Sequence, residues 1–369
     1  MNLEKGVISG SQLTFLIAIY LLGSLYRVAT VFRVTHRDVW LAVLTAFLLF
    51  ILFALVYAKL MQKFPGNNLI QLNDIVYGRY LGKVFSLLYI VFFILMATSN
   101  FRFLSDFIVQ NYMLETPLIV IAIMFLFVSA WLVRSGIEVL TRVGFICFII
   151  IFIFSVFSLT SFIISGIFEL NNFLPVLNIP LMDFVQANHV IISLFYGEVF
   201  IFMMLIPYVD QIKKVNKSIF LGTAMGAAGL FTSVVLITGV LGEYASVTNN
   251  PLNTTIRQVE IGAFLTRLEF IIASSMMVSM FMKISVIYYA TSLGISQLLK
   301  LKSYKALVLP IGIIFLGLVI PIFDNPFTQV EIELNTRPFF AVIFQFVLPL
   351  ITLVIAAIRG LPKKQGGEG

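Results

Sequence analysis

An all-α polytopic membrane protein of ten spans is the fold class that this sequence predicts, and three observations predict it. Of the 369 residues, 60% are hydrophobic and 11% charged, for a mean hydropathy of +1.05, whereas soluble domains carry roughly 25% charged residues. Apolar runs recur along the whole chain at the length a helix needs to cross a ~30 Å hydrocarbon core, about 20 residues. Most Lys and Arg residues fall in the polar stretches between those runs.

Taken in order, the runs cover residues 11–29, 39–61, 84–109, 117–133, 139–164, 184–206, 219–241, 263–298, 306–322 and 339–358. Each is read as a helix because only a helix or a closed barrel satisfies its own backbone hydrogen bonds in lipid. No Gly/Ser/Pro-rich linker divides them, so residues 1–369 form a single transmembrane domain. Glu4 and Lys5 precede the first run and no small-residue cleavage site follows it, which makes it a retained span. The net charge of +7 belongs to membrane orientation and not to nucleic acid, because the basic residues form no patch with interleaved aromatics. Cys147 is the single cysteine, inside an apolar run, and excludes an internal disulfide or a CxxC site.

Orientation follows from the basic residues on alternate sides. Lys5, Lys59, Lys63, Arg79, Lys83, Arg134, Arg142, Lys213, Lys214, Lys217, Lys300, Lys302, Lys305, Arg359, Lys363 and Lys364 number 16, against 6 on the other side: Arg27, Arg33, Arg37, Arg257, Arg267 and Arg337. Both termini are therefore expected in the cytoplasm, with the three arginines after the first span running against the trend.

Two spans are interrupted near mid-depth, at Leu22-Gly23-Ser24-Leu25 in the first and Phe195-Tyr196-Gly197-Glu198 in the sixth. The glycines lie 174 residues apart, each in the first helix of a five-helix half. Five is odd, so the second half is inverted, with repeats of approximately 11–165 and 184–358. Matched breaks in two inverted halves point to a transporter-type binding site; close helix packing is the other use of glycine in such helices.

In the order of its short motifs the chain resembles the B-subunit, or spore permease, family of spore germinant receptors, a branch of the amino acid, polyamine and organocation transporters. Those motifs are Leu22-Gly23-Ser24, Lys63-Phe64-Pro65-Gly66, Tyr196-Gly197-Glu198 with Pro207, Arg267-Leu268-Glu269, and Lys283. The resemblance implies a LeuT-like five-plus-five inverted repeat with helices 1 and 6 broken. It also implies the inner membrane of bacterial endospores, an A subunit and a lipoprotein C subunit as partners, and a small nutrient germinant, commonly an amino acid or sugar, as ligand. Leu25 departs from the superfamily, which often has a second glycine there, and narrows the expected pocket.

A break in the first span frees the N–H groups of Ser24, Leu25 and Tyr26 at a new helix N-terminus, which attracts a carboxylate. Carbonyls freed around Phe195 and Tyr196 suit an ammonium, so the backbone alone suits an amino acid zwitterion. Phe195, Tyr196, Asn100 and Tyr288 are candidates for the side-chain end of the pocket; packing between helices is their other use. Ionisable residues inside spans are functional candidates, since placing them at helix centre costs at least ~2.5 kcal/mol on insertion scales. They are Glu198, Lys283 and Arg102, the last with Asp106 as a local partner at helical spacing.

Lys283 shares a helical face with Ser279 and is expected to stand where related transporters bind sodium between helices 1 and 8. It would donate to carbonyls around Leu21 and Leu22 with Glu198 as counter-charge, or else pair with Glu198 simply to hold the bundle. Arg267 and Glu269 suit an interfacial role, and His36 and His189 a structural one. The polar segment Asn249 to Glu260 suits either a lid or a plain loop. Neither a Ser-His-acid set, a phosphate-binding Gly loop nor a metal-ligand cluster is present, so no enzyme, cofactor or metal is expected. Two function classes remain: a ligand-sensing receptor subunit, and a secondary amino acid transporter coupled to protons or ions.

Overall fold

The computed structural model describes residues 3–248, 250–258 and 265–362, with the backbone alone at 265–268. Asn249 and the stretch from Glu260 to Thr266 fall wholly or partly outside, as do the side chains of Arg267 and Leu268, so the expectations placed there stay as expectations. Among the described residues the secondary structure is helical apart from an isolated bridge between Ile8 and Val209.

The first span consists of α1 (Gly10–Leu22), a break, and α2 (Val28–Thr35); α3 (Val39–Lys63) is the second. After the short α4 (Leu69–Tyr77) come α5 (Leu81–Asn111), α6 (Leu118–Ser135) and α7 (Ile137–Ser165). Span 6 begins as α8 (Leu181–Ile191) and changes winding twice, followed by α9 (Val215–Leu241), the short α10 (Pro251–Arg257) and α11 (Leu265–Leu298). Span 9 is α12 (Val308–Val319), and α13 (Pro326–Asn335) leads into α14 (Arg337–Val342) and α15 (Leu348–Ile358), which make span 10.

Eight helical stretches are long and apolar enough to cross a membrane, with α12 as a shorter apolar helix. One of the eight, Gly10–Lys63, has 54 residues, about 80 Å of helix, so it holds two crossings of a ~30 Å core. It reverses at His36, whose φ of 50° ends α2. The ten expected spans are thus all present, and the chain is an integral membrane protein.

One expected boundary is displaced with consequence. Span 1 continues as helix through Thr35, which puts Arg27 inside the bundle, fully buried, instead of in the outer connection. With Arg27 removed from the outer group, the charge bias toward the side of the termini strengthens.

The α1 helix starts on a capping box, in which Ser9 accepts from the Gln12 N–H and the Gln12 side chain accepts from the Ser9 N–H. It is then buried against α7, α9 and α11. Its seam with α9 depends on small residues: a Cβ on Gly222 would lie 2.6 Å from the Thr14 carbonyl oxygen, and one on Gly226 2.6 Å from Leu21 Cβ. Lipid supplies no hydrophobic drive between helices, so such close backbone approach is what holds them.

Candidate functional site

The site begins where α1 ends. Gly23 N–H bonds the Ile19 carbonyl, Ser24 N–H turns to Leu21, and Arg27 N–H to Ser24, giving one 3-10 turn over Leu25–Arg27. Only glycine fits at the first of these positions, because a Cβ on Gly23 would sit 2.6 Å from the Ser279 carbonyl oxygen and 2.9 Å from Lys283 Cβ. The break of span 1 therefore rests directly on α11.

Span 6 changes from α to π winding over Ile192–Tyr196 and to 3-10 winding over Gly197–Met204. A π turn leaves carbonyls without their α partners, and such turns mark functional sites in many helices. The Leu194 carbonyl accepts instead from Arg27 Nη1 at 2.8 Å. Gly197 is again a point of close approach: a Cβ there would lie 2.6 Å from Phe346 Cζ and 2.7 Å from the Ile192 carbonyl oxygen.

Five charged side chains converge between these two breaks. Glu198 meets Arg27 at 2.8 Å, Lys283 at 2.5 Å and Arg337 at 3.6 Å. Glu333 meets Arg337 at 2.7 Å and Arg27 at 3.4 Å. Arg27, Lys283, Glu198 and Glu333 are at most 1% exposed, and Arg337 is 12% exposed. With three basic and two acidic side chains, the cluster has one formal positive charge more than it balances.

Polar groups surround the cluster. Lys283 Nζ also donates to Ser24 Oγ; Arg337 Nη1 donates to Ser99 Oγ at 2.6 Å; Asn100 Oδ1 accepts from Tyr26 at 2.8 Å and from Arg27 at 3.4 Å. Lys283 lies 5.0 Å from the Tyr20 ring centroid and the Arg27 guanidinium 5.0 Å from that of Tyr26, within cation–π range. Among the described residues, Tyr20 Oη, Ser193 Oγ, Glu333 Oε2 and Gln345 Oε1 are buried without a hydrogen-bond partner.

The sequence profile of the spore permease family, described as "Spore germination protein", matches residues 7–326. The chain belongs to the spore permease family. It is 29% identical over 359 residues to spore germination protein KB of Bacillus subtilis (strain 168), covering 96% of this chain and 95% of that one. Spore germination protein YndE of the same organism is 27% identical over 362 residues, 95% and 97% of the two chains. Among solved structures it resembles Mhp1, a nucleobase-cation-symport-1 family transporter solved closed with bromovinylhydantoin bound. The TM-score is 0.67 at 11% identity, over 95% of this chain and 79% of that one, a likeness of fold.

Within this spore permease, Gly23, Ser24, Asn100, Gly197, Glu198 and Lys283 come together at the cluster, and Ser279 touches Gly23 through its carbonyl. Phe195 is buried beside them in the π turn. Tyr196 points elsewhere: its ring stacks on Phe50, centroids 5.9 Å apart, and its hydroxyl donates to the Val43 carbonyl. Tyr288 donates to the Val308 carbonyl and packs edge-on against Phe315, in the seam of α11 with α12. Leu25 lies on the far side of the break and lines a cavity with Leu22 and Ser279.

Three chemical details differ from expectation. The Ser24 N–H is bonded to Leu21, and Lys283 reaches the Ser24 hydroxyl where the Leu21 and Leu22 carbonyls were expected. The position proposed for a ligand ammonium, beside the π-turn carbonyls, is taken by the Arg27 guanidinium.

Sequence reasoning missed Arg27, Glu333 and Arg337. Glu333 and Arg337 do carry a signal, opposite charges four residues apart just before an apolar run. Arg102 pairs with Asp106 at 2.8 Å and donates to the carbonyls of Val319, Ile320 and Phe323, so it caps the end of α12. Arg257 pairs with Glu269 at 2.9 Å, and His189 packs edge-on to Phe339.

Proposed function

We propose that this chain is the nutrient germinant-sensing subunit of a spore germination receptor, and that it binds a small ligand, an amino acid, between the breaks of spans 1 and 6. The observation that carries this reading is the excess of basic over acidic side chains at that place. In a dry interior a lone excess cation is costly unless paired, and a ligand carboxylate supplies the pair with charge-assisted hydrogen bonds. Gly23, Ser24, Asn100, Phe195 and Gly197 frame this position, with Glu198, Lys283 and Ser279 coupling it to α11, while Leu25 backs the break from its far side. Tyr196 and Tyr288, facing α3 and α12, serve the same site only by supporting its walls.

Signalling needs two states of the bundle with different affinity for the ligand. Lys283 links both breaks, through Ser24 in span 1 and Glu198 in span 6, so a carboxylate competing for the cluster's cations shifts both spans at once. An A-type subunit and a lipoprotein C-type subunit are the partners that would read the shift, in the inner membrane of the spore with both termini on the cytoplasmic side. Family membership supports these partners and this location. The pair of approximate inverted repeats, 11–165 and 184–358, is supported by the matched breaks and the likeness to Mhp1.

A second reading, a secondary amino acid transporter coupled to protons or ions, is favoured by that same likeness to a transporter. Two measurements separate them. Spores lacking this chain should lose germination to one amino acid while keeping the response to others, and the response should vanish when the A-type partner is deleted. Survival of the response without that partner, or uptake of labelled amino acid into proteoliposomes holding this chain alone, would favour transport.

A further inference from the structure

A cavity of about 320 Å³ lies on the opposite face of the span 1 break from the charged cluster, among α1, α7, α9 and α11 with α10 at one end. Protein interiors hold few voids larger than a water molecule, and an apolar cavity of roughly half this size takes up benzene. Its lining residues include no charged side chain. Five of the hydroxyls in the wall already donate to carbonyls of their own helices: Ser158 to Phe154, Ser233 to Gly229, Thr255 to Pro251, Ser275 to Ile271 and Ser279 to Met276. Hydrocarbon matches such walls better than a polar solute does.

Two residues say where the occupant comes from. Phe152 and Val156 line the cavity, yet are 57% and 47% exposed on the outward side of α7, which in a membrane protein is the lipid side. The wall is thus continuous with the bilayer-facing surface. We propose that the cavity is a binding site for the hydrocarbon tail of a bilayer lipid. A tail seated there touches Leu22 and Leu25, on either side of Gly23 and Ser24, together with Ser279, against which Gly23 rests. It props the break from behind.

The test is photolabelling of the chain in lipid nanodiscs containing phosphatidylglycerol with a diazirine near the end of one tail, followed by peptide mapping. Adducts are expected on Met225 and Met276, which line the cavity, as well as on the outward-facing Trp131, 79% exposed. In a variant carrying Ser155→Phe and Thr232→Phe the first two are lost and the Trp131 adduct remains; Ala228→Leu replaces the pair if it does not fold. Label on Trp131 with none on Met225 or Met276 overturns the proposal, as does label there that persists in the filled variant. A diazirine-bearing alkane without a headgroup separates the sources. If it labels Met225 and Met276 where the phospholipid does not, the cavity takes free apolar molecules and the lipid-tail assignment is wrong.

Discussion

Glu198 and Lys283 approach to 2.5 Å between spans 6 and 8, with neither side chain more than 1% exposed. Glu198 also pairs with Arg27 and Arg337, whereas Glu198 is the acidic partner of Lys283. The two ends of this contact are therefore unequal: one carboxylate answers to three cations.

That inequality ranks two substitutions. Glu198→Gln leaves three cations with the single carboxylate of Glu333, and should destabilise the purified chain by about 3–5 kcal/mol, the usual cost of stranding a buried charge. Lys283→Met leaves two cations and two carboxylates in balance and should be milder. Thermal unfolding midpoints in detergent compare them, and a lower midpoint for Lys283→Met than for Glu198→Gln contradicts the charge arithmetic.

Either glycine of the breaks should be intolerant of a β-branched residue. At Gly23 the first obstacle is backbone, the Ser279 carbonyl oxygen at 2.6 Å; at Gly197 it is Gln345 Oε1, then the ring of Phe346 at 2.6 Å. Overpacking of this kind costs about 1–3 kcal/mol. Gly23→Val and Gly197→Val should lose or right-shift the germinant response with the subunit still in the membrane. An unaltered dose response for Gly197→Val rules out the break as ligand site.

Sodium separates the two roles open to Lys283. Its ammonium occupies the space between Ser24 and Glu198, so the response of the natural protein should be independent of sodium. Lys283→Ala should regain part of the response in high sodium if the ammonium stands in for a cation, and none if it serves only to hold the bundle. A sodium requirement in the unmodified protein refutes the stand-in.

On the side of the termini, Glu4 offers a pH test. Partial burial pushes its carboxyl up, but the Gly6 N–H, the Tyr304 hydroxyl, the Ile137 N–H and the Tyr289 hydroxyl outweigh this and hold it below its ordinary value. A depressed carboxylate stabilises the fold above its unfolded pKa of about 4.3, and that contribution is lost as pH falls through the lower, folded value. Protection of the Gly6 and Ile137 amides, taken relative to their intrinsic exchange rates, should fall as the medium is acidified below about pH 4, and Glu4→Gln should remove that pH dependence. Protection with the same acid dependence in Glu4→Gln would assign it to another group.

The spans were legible because the bilayer asks for one simple thing, a long apolar helix, and composition alone reports it. The breaks were legible too, since Gly23 and Gly197 interrupt otherwise bulky sequence. The orientation of individual side chains was not. The π turn at Ile192–Tyr196 adds residues to its turn, which helps aim Tyr196 at α3, and no local pattern announces such a turn. Arg27 counts in the sequence with Arg33 and Arg37 as an arginine of the outer side, whereas its partners Glu198 and Glu333 lie in distant spans. Pairing across such distance leaves no mark on the neighbouring sequence.

The burial of Arg27 bears on how the chain is made. Synthesis runs from the N-terminus, and Glu198 follows Arg27 by 171 residues, so span 1 is threaded into the bilayer before its counter-ion has been translated. An arginine at the centre of an inserting helix is disfavoured by about 2.5–3.5 kcal/mol, an expense reduced when the long side chain reaches up to the headgroups. During translation span 1 is therefore expected to sit with its guanidinium at the membrane edge, and to settle to its final depth once span 6 arrives with Glu198.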